Sequence, residues 1–171
     1  MGSSIITLTT DFGTADAYVG VVKGVVLGID PRATIVDISH DIQPQSILEG
    51  AFTIGSSHRF FPVGTVHVVI VDPGVGTSRD ALLLATPSAF FLAPDNGVLS
   101  WVVGEAFQDE PDMSAGRVFV PAGHKAYRLT NPEFWLHPVS STFHGRDVFA
   151  PVAAHLSLGV AADQLGEETQ S

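Results

Sequence analysis

Three short runs rich in β-branched residues, at 5–10, 34–38 and 65–71, alternate with two stretches of helical apolar spacing, at 17–29 and 46–60. That order leaves few architectures open. Parallel strands need a crossover of a dozen or more residues, and a helix supplies it. The alternation therefore predicts an α/β fold of three layers, α/β/α, with a mainly parallel central sheet covered on both faces. Asp11-Phe12-Gly13, Asp30-Pro31 and Asp72-Pro73-Gly74 punctuate the pattern with turn formers and helix breakers.

Beyond residue 80 the rhythm changes. Runs at 81–86 and 89–93, split by Pro87-Ser88, read as a hairpin and make the sheet mixed. Residues 97–107 read as a helix and 108–114 as an acidic surface loop, followed by short strands at 117–120 and 126–129. Residues 148–158 read as a last helix, with Asp147 as its N-cap and Pro151 in its first turn, where proline is tolerated. Residues 1–166 form one expected α/β domain and residues 167–171 the start of a linker.

The chain has 171 residues, 45% hydrophobic and 15% charged, enough to bury a sizeable core. It contains no cysteine, so thiolate catalysis, disulfides and Cys-ligated zinc are ruled out. Its 18 acidic against 8 basic side chains give a net charge of −10. Such a surface repels nucleic acid and anionic membranes and suits a cationic small molecule. The start lacks the pattern of a signal peptide, and no apolar run reaches the roughly 18 residues of a membrane span. A cytoplasmic location is the expectation.

In open α/β sheets, ligands bind beyond the carboxyl ends of the strands. Asp11, Asp72 and Asp95-Asn96-Gly97 fall at such ends, and Phe143-His144-Gly145-Arg146-Asp147 leads into the last helix. Taken singly, the Asp-Gly and Asn-Gly loops also read as plain turns, and His40 as a hydrogen-bonded structural histidine. Lys23, inside an apolar helix, can snorkel or pair with a carboxylate. Gly74-x-Gly76 lacks the third glycine of a dinucleotide fingerprint, and no Gly-x-Ser-x-Gly elbow is present. No metal-ligand spacing surrounds Asp11, and Arg79 would compete with a metal for Asp72.

Seven segments together resemble a known family. They are Thr9-Thr10-Asp11-Phe12-Gly13, Asp16-x-Tyr18-Val19-Gly20, Lys23-Gly24, Val36-Asp37-Ile38-Ser39-His40, Val71-Asp72-Pro73-Gly74-Val75-Gly76-Thr77-x-Arg79, Pro94-Asp95-Asn96-Gly97 and Thr142-Phe143-His144-Gly145-Arg146-Asp147-x-Phe149-Ala150-Pro151. In order and spacing they resemble the S-adenosyl-L-methionine hydroxide adenosyltransferases, whose halogen-using relatives are fluorinase and chlorinase. The likeness extends from Ile5 to about Gly166.

The resemblance implies hydrolysis of S-adenosyl-L-methionine to adenosine and L-methionine, with no metal and no cofactor. It assigns catalysis to Asp72, Arg79 and His144, and the ribose diol to Asp11. Gln45, Val75, Phe143 and Gly145 match positions lining the pocket. Fluorinase has Tyr where this chain has Asp72, and Tyr-Ser where it has His144-Gly145, so the resemblance is to the water-using branch. Gln45 departs from the halogenases, which carry Trp there. Family members continue into a β-rich C-terminal domain, expected to be absent here, and assemble as homotrimers. Two competing readings are a halide-using adenosyltransferase and a binding domain without activity.

Overall fold

The structure, a computed structural model, describes residues 4–104 and 120–170. Seven strands form one sheet in the order β2-β1-β3-β5-β4-β6-β7. They are β1 (Ile5–Thr10), β2 (Thr34–Ser39), β3 (Thr65–Ile70), β4 (Ala81–Ala85), β5 (Ala89–Pro94), β6 (Lys125–Arg128) and β7 (Glu167–Thr169). β1 pairs in parallel with β2 and β3, and β3 with β5; the β4 pairings and β6–β7 are antiparallel. The mixed α/β sheet matches the expectation.

Side-chain alternation sorts the core into two layers. Ile6, Leu8, Val66, Val68 and Ile70 face α1 (Tyr18–Ile29) and α4 (Ala150–Ser157), which pack on each other. Val69, Val71, Phe91 and Ala93 face the side of α2 (Ile47–Ser57) and α3 (Ser100–Gly104), with Ile54 and Val102. Ser46 starts α2 by accepting the Glu49 N–H, which satisfies a donor the helix itself cannot. At the hairpin, Thr86 Oγ1 accepts from the N–H groups of Ser88 and Ala89 and tightens the turn.

Crossover helices α1 and α2 lie on opposite faces, so the chain changes face between β1 and β3. At such a switch point, the loops beyond the two strands diverge and leave a crevice.

Two expectations change. Residues 145–149 form a π-helical turn ahead of α4, so Asp147 lies buried inside the helical segment instead of capping it. Pro151 keeps its predicted place in the first turn of α4. Residues 167–169, expected to begin a linker, are the edge strand β7, whose register sets Glu167 opposite Arg128 and Glu168 opposite Tyr127. Ion pairs Arg128–Glu167 and Lys125–Glu168 accompany the pairing. The expected loop at 108–114, strand residues 117–119 and helix residues 105–107 lie outside the described residues. No helix among the described residues is long and apolar enough to cross a membrane.

Candidate active site

Asp72 follows the end of β3, and the turn at 73–78 brings Arg79 back beside it. Arg79 Nε donates to Asp72 Oδ1 at 3.0 Å, and Nη2 donates to Oδ2, a two-pronged match of guanidinium to carboxylate. Only 10% and 7% of these side chains is exposed. Burying an ion pair this deeply yields little net stability, so its place beside a cleft speaks for chemistry more than for folding.

His144 completes the group. Its Nδ1 lies 2.9 Å from Arg79 Nη2. A guanidinium only donates, so Nδ1 accepts and the proton of the neutral ring sits on Nε2. Burial, then the positive charge of Arg79, lower the His144 pKa, against weaker opposing pulls from Asp72, Asp147 and the Ser140 backbone. His144 is therefore a neutral hydrogen-bond donor at neutral pH.

Two devices hold His144 there. Asp147, fully buried, accepts the Ser140 N–H at 2.8 Å and a fork from Arg146 at 2.6 and 3.0 Å. That pins residues 140–144 against the helix. Gly76, at φ +77°, lets the Asp72 turn approach the same loop; a Cβ there would run into the Ser141 carbonyl.

Across the cleft, Asp11 leaves the end of β1. Its Oδ2 accepts the Gln45 N–H at 2.8 Å. Gln45 sits at φ +65°, the one non-glycine residue with positive φ among those described. Asp11 Oδ1 remains available to a ligand hydroxyl.

Asp11, Phe12, Ile70, Asp72, Val75, Thr142, Phe143, His144 and Gly145 line the cleft, whose volume is about 60 Å3. Pockets that enclose a drug-sized ligand run to roughly 300–1,000 Å3. This cleft can seat a reacting group, while most of a nucleoside-sized ligand extends beyond it. Of the expected residues, Asp11, Asp72, Val75, Phe143, His144 and Gly145 converge, with Arg79 behind them. Gln45 does not line the cleft; it contributes its backbone to Asp11. Asp95 and Asn96 also stay outside it, and Asn96 Nδ2 ties its turn to the Val71 carbonyl at 2.8 Å. Phe12, Ile70 and Thr142 are lining residues that sequence reading missed. Phe12 and Thr142 sat inside the quoted motifs, whereas Ile70 looked like an ordinary core valine-type position.

The fold is α/β, and at its switch point a largely buried carboxylate–guanidinium pair meets a half-buried imidazole beside a cleft. More specifically, residues 6–166 match the SAM hydroxide adenosyltransferase N-terminal domain, and the chain belongs to that family. It is 38% identical to the (R)-S-adenosyl-L-methionine hydrolase of Salinispora arenicola, covering 94% of this chain and 56% of that protein. A fluorinase from an Actinoplanes species is 30% identical over 96% of this chain and 58% of its own length. A crystal structure of an uncharacterized conserved protein from Thermotoga maritima superposes with a TM-score of 0.85 at 38% identity, covering 97% of this chain and 59% of that one. The chain thus spans a little over half the length of the relatives it matches.

Proposed function

We propose that this chain carries the nucleophile-activating site of an enzyme that hydrolyses S-adenosyl-L-methionine to adenosine and L-methionine. The observation that carries this reading is the single guanidinium bridging Asp72 and His144 beside the cleft. The names of the relatives make the (R) epimer at sulfur the first substrate to test.

In the proposed reaction, a water oxygen attacks C5′ of the ribose in line with the sulfur. The C5′–S bond breaks and its electron pair stays on sulfur, so the sulfonium leaves as the neutral thioether of methionine. No acid is needed for that departure. His144 Nε2–H orients the water, and Asp72 takes its proton. The attacking oxygen becomes strongly acidic as the C–O bond forms, so a carboxylate suffices as base late in the step. A carboxylate at position 72 disfavours a halide nucleophile. Asp11 accepts from the ribose hydroxyls, since a carboxylate offers two acceptor oxygens. Neither a metal nor a cofactor takes part in this scheme. The substrate's remaining walls come from another domain or subunit, in keeping with the shallow cleft, and a homotrimer and a cytoplasmic setting complete the proposal.

Incubation with S-adenosyl-L-methionine and mass-spectrometric analysis tests the reading. Adenosine and methionine in equal amounts support it; methylthioadenosine or S-adenosylhomocysteine as product contradicts it.

A further inference from the structure

Behind Asp11 runs a polar chain that the reaction does not use. Lys23 Nζ on α1 lies 2.6 Å from Asp37 Oδ2 on β2. Asp37 Oδ1 lies 3.0 Å from His40 Nε2, and His40 Nδ1 lies 2.9 Å from Thr10 Oγ1 at the end of β1. His40 and Thr10 are both buried. His40 Nε2 stands at ion-pair distance from Asp37 Oδ1 but off hydrogen-bond geometry. Thr10 Oγ1 accepts the Phe12 N–H at 3.3 Å, which leaves its own proton for His40 Nδ1. The His40 carbonyl accepts the Gly13 N–H at 2.7 Å, and the Thr10 carbonyl accepts the Ile42 N–H at 3.4 Å. Asp11 and Phe12 are thus bracketed on both sides by bonds that pass through His40 and Thr10.

We propose that His40 is a positioning residue for the ribose-binding loop, holding Thr10 so that Asp11 and Phe12 face the cleft. This rests on the hydrolase reading for its kinetic consequences. The physical reason is directional. A buried hydroxyl with one donor and one acceptor partner is fixed in rotation, and it fixes the Phe12 N–H in turn. Without the ring, the loop keeps its β1 connection and the two backbone bonds, but the Thr10 hydroxyl loses the acceptor that directs it toward the Phe12 N–H. Lys23 and Asp37, both more exposed, orient the far side of the ring and contribute less.

The two ring nitrogens can be tested separately. His40→Asn places an amide oxygen where Nδ1 sits and keeps the Thr10 contact. His40→Gln places an amide nitrogen where Nε2 sits and keeps only the Asp37 contact. On the proposal, His40→Gln and His40→Ala raise KM for S-adenosyl-L-methionine about tenfold, with kcat within about threefold of wild type, the scale of one misdirected charged hydrogen bond. His40→Asn restores KM to within about twofold of wild type. Equal KM values for Asn and Gln, or a loss confined to kcat, would overturn the proposal. A second readout stands apart from turnover. In NMR spectra of the same chain, the Phe12 and Phe143 ring signals should shift in His40→Gln and stay in His40→Asn. Wild type without turnover would count against the hydrolase reading alone, and the ring signals would then decide the role of His40. Identical ring signals in all variants would refute it.

Discussion

Arg79 Nη2 and His144 Nδ1 lie 2.9 Å apart, and that contact fixes which side of the imidazole faces the reaction. With Nδ1 occupied as acceptor, the proposed mechanism has His144 work through a donating Nε2–H, so losing the donor should matter more than losing basicity. His144→Gln, which carries an amide N–H to the same reach, should keep at least about ten times the kcat of His144→Ala. Asp72→Asn should lower kcat by roughly 10²–10⁴, the range for removing a positioned acid-base group. Steady-state kinetics check both. Equal kcat for Gln and Ala at 144 would contradict the donor role.

Activity should also report the depressed His144 pKa. Burial and the Arg79 charge favour the neutral ring, so the acid limb of the kcat/KM profile should lie below the ordinary histidine value of 6.5. Protonation would set two N–H donors against each other at the Arg79 contact. Arg79→Gln should move that limb up in pH while lowering the overall rate. An acid limb that stays put in Arg79→Gln would argue against this origin.

In the proposed mechanism Asp11 acts on binding. Asp11→Ala should weaken substrate binding by about 1.5–3 kcal/mol, the value of hydrogen bonds to a charged group, and leave kcat less affected. Isothermal calorimetry with adenosine separates the two, and unchanged adenosine affinity would remove Asp11 from the site.

His67 sets a stability window far from the cleft. It is fully buried, stacked on Phe91 at 4.9 Å, and bonded through Nδ1 to Thr7 Oγ1 at 2.7 Å. Burial, then the neighbouring His58, push its pKa down to about 4 from 6.5. The folded state therefore resists a proton that the unfolded chain accepts. Its contribution is complete above pH 6.5 and is lost as the pH falls from 6.5 to about 4. Within that window the slope approaches about 1.4 kcal/mol per pH unit for this one group. Urea unfolding at pH 7 and pH 5 should show a smaller difference in His67→Gln than in wild type.

Much of this was legible in the sequence, for physical reasons that differ by element. β1 and β3 are dense β-branched runs closed by turn formers, so the end of β1 could be placed to the residue and that of β3 within one, with Asp11 and Asp72 just beyond them. Arg79 was within reach of Asp72 because a six-residue turn returns on itself. β7 was not legible, since three polar residues at a sheet edge are held by backbone pairing and ion pairs that leave no apolar alternation. Asp147 looked like an N-cap because nothing local signals a π-helical turn; its carboxylate is satisfied by the Ser140 N–H from outside the helix and by its neighbour Arg146 within it. Gln45 acts through its N–H and a left-handed backbone, which its side-chain type does not advertise. His58 and His67 meet with ring centroids 6.1 Å apart only because β3 runs back past the end of α2.

The central claim is that water, fixed by Asp72, Arg79 and His144, attacks the ribose carbon. Turnover of S-adenosyl-L-methionine in heavy-oxygen water, followed by mass spectrometry of the adenosine, measures this most directly. The account predicts one heavy oxygen per adenosine, at the 5′ hydroxyl, and its loss in Asp72→Asn together with the activity. Unlabelled adenosine, or label appearing only in methionine, would contradict it.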